Sequence, residues 1–450
     1  MKSASSELPG KGTFARGLHP PGRKSYAADA PIEVLPTPET VAIPLLQHLG
    51  KPAESVVKPR QEVALAELIA KASGFISASS HASVAGTTQA PSVATLPNAR
   101  HVRTVPIKPG EQPLAGEALK QDHFGGDWPK TRMEQHTPEK IRDAVADAGI
   151  VGLGGAAFPT HVKFTPGEAK IDTLLVNGCE CEPYLTADYR LMLEFPAPII
   201  TGAMLAGRAC GAERIVVAIE DNKPRAADAM RKAAEGTGIE VVEVETRYPM
   251  GGERQLTVAV LDREVPTGGL PLHVGVVVLN VATSAAVARA VLRGKPLTHR
   301  VVTVTGAGIK RPANVLTPIG ASYADLIEHC GGLTDDAARV VSGGPMMGFA
   351  VGDLEAPLTK GAGGITVLTH EDVRRAEETQ CIRCGRCVDV CPLHLVPTKM
   401  ALAARNKDWE QARRYYLTAC CECGCCAYVC PAAIPLVQLM RAGKAEMPRE

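Results

Sequence analysis

Ten of the fourteen cysteines fall between Cys381 and Cys430. Cys381, Cys384, Cys387 and Cys391, followed by Pro392, are spaced C-x2-C-x2-C-x3-C-P, and Cys420, Cys423, Cys426 and Cys430, followed by Pro431, repeat that spacing. Three thiolates two residues apart wrap a tight loop around one iron–sulfur cubane. The fourth, before a proline that turns the chain away, reaches the other cubane. The spacing thus assigns Cys381, Cys384, Cys387 and Cys430 to one [4Fe–4S] cluster, and Cys420, Cys423, Cys426 and Cys391 to a second. Zinc is the competing use of such residues, but a zinc site takes four ligands in two pairs, not two runs of four ending in Cys-Pro. With all coordination positions filled by cysteine, two clusters carry single electrons and make no bonds. Cys421 and Cys425 fall off the spacing and read as bystander thiols.

Two further loops have chemistry-bearing compositions. Gly152-Leu-Gly154-Gly155-Ala156-Ala157-Phe158-Pro159-Thr160 matches G-x-G-x-x-A in letters, but a helix precedes it and Phe-Pro-Thr follows. The dinucleotide fingerprint needs a strand before and a helix after, so that reading fails on context. A structural turn and a loop whose backbone N–H groups approach a phosphate or flat ring both remain open. The second loop, Asn177-Gly-Cys-Glu180-Cys-Glu182-Pro183-Tyr184, directly follows an apolar run. Residues after a strand of an α/β sheet sit at the carboxyl edge, where such sheets bind ligands; a solvated acidic turn is the alternative. Tyr248–Gln255 and the pair Asn280 and Thr283 are weaker candidates of the same kind.

These residues need elements to hold them. The chain has 450 residues, 45% hydrophobic and 22% charged, with only 4% aromatic. That length predicts about three domains, with cores built from Val, Leu, Ile and Ala. Lys+Arg 49 against Asp+Glu 48 argues against a nucleic-acid partner, which needs a basic excess. The start has no apolar h-region and no run of 18 apolar residues occurs, so a reducing compartment and metal-binding thiols are expected. Residues 1–35, rich in Pro, Gly and basic residues, read as an extended arm. Short strand signals between turns over 36–110 read as a small all-β unit. Residues 110–138 look loop-like. Thr137 caps a helix from Pro138 that ends by Gly149. From Ile171, strands at Thr173–Val176, Arg214–Ile219, Ile239–Val244 and Leu272–Asn280 alternate with helices at Pro198–Gly211, Lys223–Glu235 and Thr283–Leu292. That alternation predicts a parallel α/β sheet within a domain over 120–296. Residues 297–350 read as a small α+β module, Gly361–Gly364 as a linker, and 365–450 as a helical module carrying the cysteines. The fold class is therefore multidomain α/β.

In this order, the motifs resemble the RnfC family, the electron-input subunits of Rnf-type ion-translocating complexes. The resemblance is collinear over nearly the whole chain: GLHPPGRK near the N-terminus, PIEVLP at 31–36, GLGGAAFPTHVKF, LLVNGCECEPYLTADYRLM, RYPMGGERQL and both cysteine runs. A more distant similarity is to the flavin subunit of respiratory complex I. The resemblance implies an N-terminal barrel-sandwich hybrid of the lipoyl type, without lipoylation, an α/β domain binding FMN and NADH, a β-grasp module and a ferredoxin-like domain with two [4Fe–4S] clusters. It implies that Gly152, Gly154, Gly155, Ala156, Phe158, Lys163, Asn177, Glu180, Glu182, Asp188, Glu253 and Asn280 line the flavin and nucleotide cleft. Three departures stand out. Ala157 replaces a usual Gly and is expected to push a β-carbon onto the flavin loop. Arg60 and Ala66 replace glycines of the β unit and are expected to remodel their turns if those need positive φ.

The implied activity is electron transfer between NAD(H), FMN and the two clusters, in either direction, because a flavin can split a hydride pair into single electrons. No side chain is expected to act as catalytic acid, base or nucleophile; Glu180 and Glu182 are expected to orient ligands. The expected partners are membrane subunits and an iron–sulfur subunit of an Rnf-type complex, with ferredoxin or flavodoxin reached indirectly. The expected location is peripheral, on the cytoplasmic face of the inner membrane. Arg16, His19, Arg23 and Lys24 read either as a docking element or as part of a tail. Two other functions compete: a non-catalytic iron–sulfur adaptor without flavin, and a soluble flavoenzyme, for which His161 is the nearest acid–base group.

Overall fold

A computed structural model describes residues 8–373 and 376–448. At its centre four parallel strands lie in the order Glu240–Val244, Arg214–Glu220, Thr173–Gly178, Val276–Asn280. The apolar runs of the last three are buried on both faces, as a parallel sheet requires, while the edge strand Glu240–Val244 is only partly buried. Helices Pro196–Cys210 and Val281–Arg293 cross closely beside the sheet. The Ser284 hydroxyl donates to the Ile199 carbonyl at 2.8 Å, and Gly202 lies where a Cβ would collide with the Ser284 carbonyl.

The expected helices form with shifts of one or two residues. Thr137 caps Pro138–Asp147, and Gly149 follows at φ +61. The run read as one strand over Leu272–Asn280 is divided. Pro271–Val274 is a 3-10 turn closed by Gly275 at φ +77, and the strand begins only at Val276. A helix, Gly116–Phe124, occupies part of the stretch read as loop; no side chain caps its N-terminus, which removes the usual start signal.

The N-terminal β unit has two sheets. One runs Val41–Pro44, His101–Pro109, Gly86–Thr88, Glu62–Val63, with Ser92–Thr95 also on His101–Pro109; the other runs Glu54–Ser55, Leu68–Lys71, Ser80–His81. Arg60 and Ala66 keep positive φ, at +65 and +72, so their turns are adopted by L-residues and not remodelled.

A six-stranded sheet runs Ile32–Val34, Ala313–Pro318, His299–Thr305, Gly364–Thr369, Ala337–Ser342, Phe349–Ala350. It draws in two strands from outside residues 297–350. Ile32–Val34 comes from the end of the stretch read as an arm, whose residues 1–7 lie outside the described ones. Gly364–Thr369 starts inside the stretch read as a linker and pairs in parallel with Thr303–Thr305. The strand is buried at every residue but Leu368, and a Cβ on Gly364 would collide with Leu185.

The C-terminal module consists of short helices, chief among them Pro397–Arg405 and Leu436–Glu446. It is docked on the rest of the chain by Tyr248 Oη to the Cys423 carbonyl at 2.7 Å, Arg16 to the Val388 carbonyl at 2.7 Å and Arg441 to the Met347 carbonyl at 2.8 Å. Among the described residues no helix is long and apolar enough to cross a membrane.

Candidate functional site

In the parallel sheet, the chain passes outward from Thr173–Gly178 in one direction, then returns to place Val276–Asn280 on its other side. Adjacent strands diverge at such a reversal, which leaves a crevice at their carboxyl ends. Asn177 and Asn280 are register partners there. Asn280 Oδ1 accepts from the N–H groups of Ala282 and Thr283, at 2.9 and 3.3 Å, and caps the following helix, while its Nδ2 donates to Asp188 at 2.6 Å. Asn177 Nδ2 donates to the Gly251 carbonyl at 2.8 Å. Lys163 donates to Glu253 at 2.5 Å and to the Val278 carbonyl at 2.9 Å.

The glycine loop closes over this edge. Gly152 N–H donates to the Phe158 carbonyl at 2.8 Å, and Leu153 N–H to Thr283 Oγ1 at 2.8 Å. Gly154, Gly155 and Ala156 are exposed. A Cβ on Gly154 would stand 3.3 Å from Asn280 Cβ, and Gly155 has φ +125 with open space around it. A bare, open backbone beside a helix N-terminus suits a phosphate and a flat ring, so the residues present fit FMN. Gly152 and Phe158 are half-buried and bonded to each other within the loop. Ala157 does not intrude: its φ is +49, it is 7% exposed, and a Cβ built on Gly361 would be 3.1 Å from its methyl. The methyl is packed inward against Gly361.

The acidic loop divides its two glutamates. Glu180 accepts from the N–H groups of Asp188 and Tyr189, at 2.8 and 3.1 Å, at the start of helix Ala187–Glu194, where the helix dipole favours an anion. Burial, and then the neighbouring Glu180, raise the pKa of Asp188. Glu182 turns away from Asn177 and Asn280. Its carboxylate accepts from the N–H groups of Met346 and Met347, at 3.2 and 2.7 Å, in a loop of the six-stranded sheet. Burial pushes its pKa up to about 7. The expected ligand-orienting role therefore has no geometric counterpart at Glu182, whose two oxygens tether domains.

Lys24 is a residue the sequence reading assigned elsewhere. Its ammonium points inward and donates to the carbonyls of Glu180, Glu182 and Leu185, at 2.6, 2.9 and 2.7 Å. Arg16 and His19 also face the protein, the latter with Nδ1 on the Thr246 carbonyl at 3.0 Å. Arg300 and Lys360 were missed altogether. Arg300 donates to the Leu153 carbonyl at 3.2 Å and to the Lys360 carbonyl, and Lys360 Nζ donates to the Gly149 and Ser79 carbonyls at 2.7 and 2.6 Å. Both brace the glycine loop from behind. No motif spacing marks them, because their partners are backbone carbonyls distant in sequence.

Cys391, Cys420, Cys423 and Cys426 line one cavity, together with Cys421 and Cys425. Among the described residues no three Cys, His, Asp or Glu side chains are arranged to hold a single metal ion; these thiols surround a space instead. Backbone N–H groups of Leu395 and Glu422 point at the sulfurs of Cys391 and Cys420, at 3.4 and 3.3 Å, the kind of bond that tunes a thiolate-held cluster. The donor set and cavity fit an iron–sulfur cluster. Gly385 and Gly424 occupy equivalent left-handed positions, φ +78 and +85, in the two cysteine loops. In the second loop Cys423 and Cys425 cluster with Tyr248, Cys181 and Met346, and Val390 of the first run packs on the same cluster, while Cys421 is exposed. In the first loop Cys384 is exposed.

Four family models match this chain: an RnfC barrel sandwich hybrid domain over 12–112, a Nuo51 FMN-binding domain over 145–289, an SLBB domain over 301–350 and a 4Fe-4S dicluster domain over 380–435. The C subunit of the proton-translocating ferredoxin:NAD(+) oxidoreductase complex of Clostridium ljungdahlii is 42% identical over 89% of this chain and 86% of its own. Its Na(+)-translocating counterpart in Acetobacterium woodii is 40% identical over 97% of each chain. The corresponding subunit of an ion-translocating oxidoreductase complex of Rhodobacter capsulatus is 43% identical over 96% of this chain and 82% of its own. A chain of an NAD+-reducing [NiFe]-hydrogenase has a related fold, with TM-score 0.53 at 21% identity over 76% of this chain and 67% of its own.

Proposed function

The chain belongs to the RnfC family, the C subunits of ion-translocating oxidoreductase complexes, and from that premise we propose that it passes electrons between NAD(H), FMN and two [4Fe–4S] clusters, toward or from low-potential ferredoxin or flavodoxin through its membrane partners. FMN, when bound, supplies the exchange between a two-electron hydride carrier and one-electron carriers. Gly154, Gly155 and Ala156 offer backbone N–H groups to it, and Asn177, Lys163, Asp188, Glu253 and Asn280 shape the crevice edge. Glu180 holds that edge by capping its helix. No proton transfer to carbon is needed, so none of these groups serves as acid or base.

One observation carries the reading: the crevice and the second cysteine loop share a wall. Asn177 bonds the Gly251 carbonyl, Gly251 N–H donates to Cys181 Sγ at 3.4 Å, and Tyr248 of the same turn bonds the Cys423 carbonyl. The cluster of Cys391, Cys420, Cys423 and Cys426 is accordingly the one next to the flavin. The cluster of Cys381, Cys384, Cys387 and Cys430, with Cys384 at the surface, faces the partner. We place that partner among the membrane and iron–sulfur subunits, with this chain on the cytoplasmic face of the inner membrane.

The test is anaerobic. The full chain, reconstituted with iron, sulfide and FMN and freed of excess, is expected to bleach its flavin band and then its cluster absorption on adding NADH. Cys391→Ser, although in the first cysteine run, is expected to disturb the electron paramagnetic resonance signal of the same cluster as Cys423→Ser, and to leave the one lost in Cys384→Ser. Retained clusters with no retained flavin and no response to NADH would refute the reading.

A further inference from the structure

The loops at one end of the N-terminal β unit carry three exposed apolar side chains: Leu49 at 46%, Phe75 at 61% and Ile76 at 42%. Phe349, another exposed phenylalanine, is covered by the Arg441 guanidinium at 4.3 Å from its ring centre. Phe75 has the His161 ring perpendicular to it, with centroids 6.0 Å apart and planes at 86°, and most of its surface stays exposed.

These loops are held firmly. Lys51 N–H donates to the Ile76 carbonyl at 3.0 Å, Ser77 Oγ to the Lys51 carbonyl at 2.9 Å and Ser73 Oγ to the Pro52 carbonyl at 2.6 Å. Gly50, at φ +105, lies where a Cβ would collide with the Ile76 carbonyl. They are also tied to the flavin loop. Leu49 N–H points at the Ala157 carbonyl at 3.4 Å, and His161 Nε2 donates to the Phe75 carbonyl at 2.9 Å. The apolar rim therefore stands beside the glycine loop, next to Ala157 and His161.

We infer that this rim is the subsite for the adenine end of NAD(H), with a face of Phe75 stacking on the base, Leu49 and Ile76 forming the apolar floor beside it, and the exposed Lys51 ammonium facing the phosphates. The inference rests on the nucleotide reading of the cleft. A dinucleotide with its nicotinamide end at the flavin loop must lay its other half along the surface that leaves that loop. An exposed aromatic ring stacks on any base, and an apolar floor with one cation matches a base followed by phosphates.

The test uses the full chain carrying flavin and clusters, with ferricyanide as acceptor, and compares NADH with reduced nicotinamide mononucleotide, which lacks the adenosine half. Phe75→Ala is expected to raise KM for NADH about tenfold. It leaves kcat, flavin content and KM for the mononucleotide unchanged, and Phe75→Tyr restores the KM for NADH. An unchanged KM for NADH overturns the inference. So does an equal rise for both nucleotides, which would make the ring a prop for the glycine loop, and so does a defect only in assembly with partner subunits. If the unsubstituted protein holds flavin yet oxidises neither nucleotide, the cleft reading itself fails and takes this inference with it.

Discussion

Replacing Lys24 by Met keeps most of the side-chain volume and removes the ammonium. That ammonium has three N–H donors, and each goes to a different carbonyl of one loop, Glu180, Glu182 and Leu185. Hydrogen bonds from a charged donor contribute about 1.5–3 kcal/mol each, so the three together amount to roughly 5–9 kcal/mol gross. Burying the ammonium offsets several kcal/mol of that, and burial is the main reason its pKa is lowered. Removing the donors leaves the three carbonyls without this partner, for an expected net loss of about 3–5 kcal/mol. The loss falls on the loop whose Glu180 caps helix Ala187–Glu194 and whose Glu182 tethers Met346 and Met347. Flavin retention is therefore expected to fall with stability. Lys24→Arg is expected to be nearly as damaging, because a planar guanidinium fork cannot aim three donors at three converging carbonyls. The assay is urea unfolding followed by fluorescence of Trp128, which is buried and stacked under Arg293, together with FMN titration. A Met variant within about 1 kcal/mol of the parent that binds FMN equally well would refute the argument.

Two further outcomes are expected. Ala66 holds φ +72, a conformation that costs an L-residue about 1 kcal/mol; Ala66→Gly should raise the melting temperature of the N-terminal β unit, and an unchanged or lower value would show that the turn carries no strain. Glu182 titrates at about 7 in the folded chain against 4.5 for an ordinary Glu, so the folded state keeps an extra proton across that window and loses stability as pH rises through it. Glu182→Gln should flatten the fall by up to about 1.4 kcal/mol per pH unit; an unchanged slope between pH 4.5 and 7, measured by urea unfolding, would assign it to other groups.

The 4Fe-4S dicluster module was legible because its candidate ligands are closely spaced within one loop, and the repeated Cys-Pro ending marks the proposed fourth ligand. The parallel sheet was legible because strands buried on both faces read as apolar runs separated by amphipathic helices. Asn177 and Asn280 could be placed at strand ends from that pattern alone. Their pairing across the chain reversal could not, since register partners 103 residues apart leave no local trace. The two glutamates of the acidic loop look equivalent in sequence. Only the fold sends Glu180 to a helix start and Glu182 to a loop more than 160 residues away. The same holds for Lys24, whose basic neighbourhood suggested an outward docking arm, and for Arg300 and Lys360. Their partners are backbone carbonyls, which every residue possesses, so no side-chain pattern announces them. Gly364–Thr369 joined a sheet because a neighbouring strand edge was open to it, and the Ala157 methyl turned inward because Gly361 left room. Residue type and short spacing thus determined the chemistry this chain can hold. Long-range backbone hydrogen bonding and the space left by distant glycines decided which groups face the crevice and which cysteine loop lies beside it.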